Sequence, residues 1–179
     1  MHDVTEIEGV GTIRPARGED VGAITSIYNE AIVDGSYATA DVEPVSVESR
    51  LEFMRSRRDP YGVFVVEQPG GSVIGWSALG PLAIRPSYSE LVEPAVYLGS
   101  SHRAHRLGTH LLAHLLEAAR RRGFVTMVAV IYARNAASRQ GLLRAGFSVA
   151  VTIPEVTQLR KEWETVEFLT LRLQPEGAP

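Results

Sequence analysis

From Gly108 to Arg122 the sequence places Leu111, Leu112, Leu115, Leu116 and Ala119 on one face of a helix, and Gly123 closes it. A helix with one apolar stripe must lie against another layer, so this stretch fixes a packing surface before any other element is considered. Upstream stands a β-branched and aromatic run, Val92-Glu93-Pro94-Ala95-Val96-Tyr97-Leu98. Between the two lies Arg103-Ala104-His105-Arg106-Leu107-Gly108-Thr109. A strand that runs through small and basic residues into a helix start presents free backbone N–H groups to an anion, and a pyrophosphate is the natural guest.

The rest of the chain supplies the layers. Ile13 to Ala16 reads as a first strand, followed by a helix with Val21, Ile24, Ile27, Tyr28, Ala31 and Ile32 on one stripe and Gly35 at its end. Ser46 caps a second helix carrying Val47, Leu51 and Phe53 or Met54, which stops before Asp59-Pro60. Val63 to Val66 and Ser72 to Leu79 form a hairpin around Gln68-Pro69-Gly70-Gly71. Pro81 to Glu90 reads as a loop beside the strand Leu91 to Leu98, and hence as a substrate wall. After the leucine-striped helix come a strand from Phe124 to Tyr132, a helix from Asn135 to Ala145, and strands from Phe147 to Ile153 and Thr165 to Leu173, with Pro154 and Trp163 in a loop between them. This alternation predicts an α/β architecture, a mixed central sheet with helices on both faces. Residues 13–173 are expected to form one domain, with a flexible segment over 1–12 and a frayed tail over 174–179.

Composition removes several function classes. The 179 residues are 45% hydrophobic and 22% charged, enough for one core without a staple. The chain has no cysteine, which excludes thiolate catalysis and cysteine-bound zinc. A net charge of −3 gives no electrostatic footprint for nucleic acid. No apolar run approaches the roughly 20 residues of a membrane span. Met1 to Thr12 is acidic and lacks an apolar signal region, so a cytoplasmic protein is expected.

Tyr28-Asn29-Glu30-Ala31-Ile32, Val92-Glu93 before Val96-Tyr97-Leu98, Arg103-x-x-Arg106-x-Gly108, Asn135-Ala136-Ala137-Ser138 and Leu143-x-x-Gly146-Phe147 follow in one order. With the element order they resemble the GNAT acyltransferase superfamily from about Ile13 to Leu173, and within it the phosphinothricin and methionine sulfoximine acetyltransferase group. The resemblance implies a GNAT fold, acetyl-CoA as co-substrate, a small amino-acid-like amine as acceptor and a homodimer. By the same resemblance Glu93 is the catalytic base, and the backbone of Val96, Tyr97 and Leu98 meets the pantetheine arm. Arg103, Ala104, His105, Arg106, Leu107, Gly108 and Thr109 form the pyrophosphate loop, and Asn135 and Ser138 face the cofactor. Tyr37, Arg85, Tyr88 and Trp163 are expected around the acceptor.

The residues carry part of this alone. A carboxylate between Val92 and Pro94 is costly to bury without a task, and a carboxyl of raised pKa suits removal of a proton from an amine before or during its attack on a thioester. An edge-strand salt bridge is the plainer role for Glu93. Asn135 serves equally as a helix N-cap. The chain departs from the family pattern at five places, the first being the missing glycine before Trp163. Arg106 replaces a glycine, Leu142 stands where Tyr or His protonates the leaving thiolate, Ser89 follows Tyr88 where a carboxylate-binding cation is common, and Thr165 stands where an acid is common. Whether Arg106 obstructs positive φ or adds a charge-assisted contact is open at this level. Transfer to a protein N-terminus or lysine, and a non-catalytic acyl-CoA-binding module, are the alternative readings. His110 and His114 are expected on solvated flanks of the leucine stripe rather than on a metal, Arg120-Arg121-Arg122 at a solvated helix end, and Trp76 in the core.

Overall fold

Alternation along the third strand sends Val63 and Val65 to one face of a sheet and Phe64 and Val66 to the other, and both faces are covered. The computed structural model describes residues 3–82, 88–103 and 106–174. Its elements are β1 (Thr5–Ile7), β2 (Gly11–Pro15), α1 (Val21–Val33), α2 (Val47–Ser56), β3 (Gly62–Glu67), β4 (Val73–Pro81), β5 (Leu91–Leu98), α3 (Leu107–Arg121), β6 (Thr126–Tyr132), α4 (Ala136–Arg144), β7 (Ser148–Leu159) and β8 (Glu162–Arg172). One eight-stranded sheet has the order β1-β2-β3-β4-β5-β6-β8-β7. On one face Ile24, Ile27, Tyr28 and Ile32 of α1 pack on Val63, Val65, Trp76 and Ala78. On the other, Leu107, Leu111 and Leu115 of α3 and Leu142 of α4 join Phe64, Val66, Leu79 and Val92.

The site is set by one irregularity of this sheet. β4 and β5 pair antiparallel over seven positions, from Gly75 with Leu98 to Pro81 with Val92. β5 and β6 run parallel and pair only through Leu91 with Thr126 and Val92 with Met127. Beyond Val92 the two strands part, and the β6-facing peptide groups of Glu93 to Leu98 are left without a strand partner.

Three expectations need correction. Residues 1–12 are not wholly flexible, because Thr5–Ile7 adds an edge strand to β2 through a turn at Gly9 with φ of +71°. Pro154 and Trp163 do not lie in a loop. β7 and β8 continue to Leu159 and start at Glu162, joined by Arg160 and Lys161 at φ of 52° and 71°, the positive pair of a tight hairpin turn. β7 is the outer strand, where proline's missing N–H removes no ladder bond, and the register shifts between Ile153 and Thr157. His114 is buried at 5% exposure, not solvated, because β1 covers it and Thr5 Oγ1 stands 3.0 Å from its Nδ1. Arg120 and Arg121 stand exposed at the end of α3 as expected, and Arg121 and the half-buried Arg122 both pair with Asp3.

Candidate active site

The gap between β5 and β6 opens into a cavity of about 780 Å³, within the usual size of a small-molecule site. Its walls are β5 from Glu93 to Leu98, β6 from Ala129 to Tyr132, the starts of α3 and α4, and the segment from Ser36 to Asp41. Val96, Tyr97 and Leu98 all line it. The Tyr97 ring points away to stack on Trp76 at 4.6 Å, and its hydroxyl donates to the Ala38 carbonyl at 2.8 Å.

At the start of α3, Arg106 adopts φ 54° and ψ 11°, the left-handed conformation. The turn needs positive φ, and Arg106 takes it despite its Cβ. Thr109 and His110 donate to the Arg106 carbonyl at 2.9 and 3.3 Å. Among the described residues, the N–H groups of Leu107 and Gly108 have no acceptor, so the first turn offers them to a guest. A Cβ at Gly108 would meet only Leu98 Cδ1, at 3.8 Å, so packing within the chain does not demand glycine there. Arg103 pairs with Asp34 and donates from Nε to the Leu98 carbonyl at 3.4 Å, fastening the loop to the end of α1. The expected contributions of Ala104, His105 and Arg85 lie outside the described residues.

Asn135 is the N-cap of α4. Its Oδ1 accepts from the Ser138 N–H at 3.1 Å, and its Nδ2 donates to the Tyr37 carbonyl at 3.2 Å. All three residues line the cavity. Tyr37 itself holds φ of 55° and takes a hydrogen bond on its hydroxyl from Arg134 at 3.3 Å.

Glu93 stands half-buried on the cavity wall, opposite Gly80 of β4. Burial raises its pKa above the usual carboxylate value, and the nearby Arg57 guanidinium opposes that rise only in part. Sequence reasoning missed Arg57, which closes α2 and lines the cavity, and Arg50, which is 6% exposed one face-repeat earlier. The Arg50 guanidinium lies 3.8 Å from the Tyr28 ring centre and 4.6 Å from that of Phe53. The signal in the sequence is the spacing of Arg50, Phe53 and Arg57 at i, i+3 and i+7, which puts both guanidinium groups on one side of the helix with an aromatic ring between them.

Two expected acceptor residues are not brought here. Trp163 is 56% exposed on β8 and Tyr88 is exposed just before β5, and neither lines the cavity. The reason for Trp163 is the extended β8, which pairs it with Gln158 of the outer strand. Leu142 lines the cavity and fills the core below α4, so no proton donor stands at that position. Among the described residues no cluster of His, Asp or Glu has the form of a metal site.

Relatives carry the same architecture. Residues 12–148 match the family model described as an acetyltransferase (GNAT) domain. The chain is 33% identical over 165 residues to an L-methionine sulfoximine/L-methionine sulfone acetyltransferase of Pseudomonas aeruginosa, covering 92% of this chain and 95% of that one. It is 30% identical to a phosphinothricin N-acetyltransferase of Streptomyces viridochromogenes, covering 87% and 84% of the two chains. A Salmonella typhimurium protein described as an acetyltransferase, solved with its cofactor acetyl-CoA, superposes with a TM-score of 0.87 at 34% identity over 93% of this chain and 96% of its own. With the parted strands, the α3 start and the matched domain in agreement, this chain belongs to the GNAT acetyltransferase family.

Proposed function

We propose that the protein is an N-acetyltransferase that moves the acetyl group of acetyl-CoA directly to the primary amine of a small amino-acid-like compound. The observation that carries this reading is the placement of a half-buried Glu93, its pKa raised by burial, in the same cavity as the open edge of β5 and the free amides of α3. The relatives named for methionine sulfoximine and phosphinothricin support the acceptor class.

Each group has one task. Leu107 and Gly108 N–H groups, with the Arg106 guanidinium, hold the pyrophosphate. The β6-facing peptide groups of Val96 to Leu98 orient the pantetheine arm, and Asn135 and Ser138 form the opposite wall. Acetyl-CoA supplies the thioester carbonyl. Glu93 accepts the proton that the amine gives up as its nitrogen bonds to that carbon and the carbon–sulfur bond breaks, directly or through one water. Leu142 protonates nothing, so the sulfur leaves as thiolate. For a thiol pKa near ~8.5 that costs about 2 kcal/mol at pH 7, which orientation in the cavity offsets.

The homodimer expected from the resemblance belongs to the same proposal, with the exposed Val149 and Trp163 on one face of β7 and β8 among its contacts. Sedimentation tests it, and fractionation tests the cytoplasmic location. Residues 13–173 act as one domain, with β1 as an added edge.

The test is thiol release from acetyl-CoA with amino-acid analogues, simple amines and peptides, on a sample whose cofactor binding has been measured by calorimetry. Glu93→Gln is expected to keep cofactor binding and lose most turnover. Unchanged turnover removes Glu93 from the chemistry, and absence of cofactor binding by the wild-type chain overturns the whole reading.

A further inference from the structure

Arg57 is held in place by groups that leave one of its edges open. Its Nη1 donates to the Phe53 carbonyl at 3.3 Å and to Ser56 Oγ at 3.2 Å, and its guanidinium lies over the Phe53 ring, 3.5 Å from the centre. Nε and Nη2 donate to none of the described residues. Those two N–H groups form the side-on fork with which guanidinium grips a planar oxyanion.

The fork lies where Gly80 has no side chain. A Cβ at Gly80 would sit 3.0 Å from Nε and 3.3 Å from Nη2, against that edge. Gly80 and Glu93 are direct cross-strand partners, so their side-chain positions share a face of the sheet at about 5 Å. Arg57 and Glu93 nevertheless form no ion pair within 4.0 Å among the described residues, and both line the cavity. Near Arg57 the buried Arg50 has no carboxylate partner among the described residues, its Nε unbonded, and the Asp41 carboxylate is engaged by the Tyr28 hydroxyl at 2.7 Å. This end of the cavity therefore offers a carboxylate and an unspent guanidinium edge side by side, with further positive charge nearby.

We infer that Arg57 is a specificity-determining residue, whose Nε–H and Nη2–H hold the carboxylate of an α-amino-acid acceptor while Glu93 faces its amine. The inference rests on the transferase reading. An α-amino acid bears both groups on one carbon, which matches neighbours across one strand pair. Arg57 supplies the matching charge from the end of α2.

The experiment compares methionine sulfone with the amine left when its carboxyl group is removed, as the ratio of their kcat/KM values. The wild-type ratio is expected to favour the amino acid about 100-fold, as a lost charge-assisted fork would cost. Arg57→Ala brings the ratio near one, chiefly through KM for the amino acid, and Arg57→Lys recovers part of it. Gly80→Ala keeps the charge, blocks the edge and lowers the ratio as well. Acetyl-CoA binding by each variant reports that it is folded. A wild-type ratio near one, or a ratio unchanged by Arg57→Ala, overturns the role of Arg57 and leaves the transferase standing. Absence of thiol release with every acceptor sinks the transferase. Calorimetric binding of methionine sulfone to the CoA-loaded protein then decides Arg57: binding abolished by Arg57→Ala supports it, and no binding or undiminished binding refutes it.

Discussion

Asn135 and Tyr37 are joined across 98 residues of sequence by a 3.2 Å hydrogen bond from the Asn135 amide to the Tyr37 carbonyl. The same side chain caps α4 through the Ser138 N–H, so one residue both starts a helix and fastens the segment that forms the cavity's outer wall. Asn135→Ala should cost about 1 kcal/mol from the lost cap and also weaken acetyl-CoA binding. Asn135→Asp separates the two effects. It restores the cap but cannot donate to Tyr37, so chemical denaturation should return toward wild type while calorimetry still reports weaker binding. Full recovery of both would show that the Tyr37 tether is idle.

Glu93 should set the acidic limb of the pH–rate profile. A base works when deprotonated, so kcat/KM rises with pH through its pKa, which burial places above the ordinary carboxylate range. Arg57 lowers that pKa, so Arg57→Ala should move the limb to higher pH. A limb at the ordinary carboxylate value, or one that shifts downward in the variant, contradicts the arrangement.

The same burial carries a stability cost. Between the unfolded and the raised folded pKa the native state binds more protons than the unfolded one, so stability falls as pH rises through that window. Glu93→Gln should therefore unfold at a higher temperature than wild type at pH 7, with the difference shrinking below the unfolded pKa near ~4.3. Equal melting temperatures across that range would mean that Glu93 is not desolvated.

His114 makes the opposite prediction from another kind of group. Burial pushes its pKa down to about 4, with Asp3 opposing and Arg121 and Arg122 assisting. The neutral imidazole is therefore native, and its stability contribution is complete above the unfolded value near ~6.5 and lost as pH falls toward 4. The span is up to about 3 kcal/mol. His114→Gln, which keeps a polar partner for Thr5, should flatten the acid side of the stability profile, read by denaturant midpoints at pH 7, 5.5 and 4.

Arg106→Ala should weaken acetyl-CoA binding about tenfold, the loss of one charge-assisted contact. It should barely affect a truncated acetyl-pantetheine that lacks the pyrophosphate. Arg106→Gly removes the charge and relieves the left-handed backbone, so it should match the alanine variant in binding and exceed it in melting temperature. Equal losses with both cofactors would place Arg106 away from the phosphates.

Local pattern made much of this protein legible. The leucine stripe of α3, the Ser46 and Asn135 caps and the glycines after α1 and α3 each depend on residues within a few positions of one another, as does the strand-to-helix passage at the heart of the cavity. Periodicity and capping are properties of short segments, so the sequence by itself determined them. The tertiary structure decided whatever depends on register between distant segments. Strand β1 came to cover His114, β8 lengthened and carried Trp163 out to solvent, and the parting of β5 from β6 opened the cavity. The cross-strand pairing of Gly80 with Glu93 set the open edge of Arg57, from a remote helix, beside the carboxylate. Each of these meetings requires the ends of a long loop to close, and no local propensity encodes which side chain will stand at the other end.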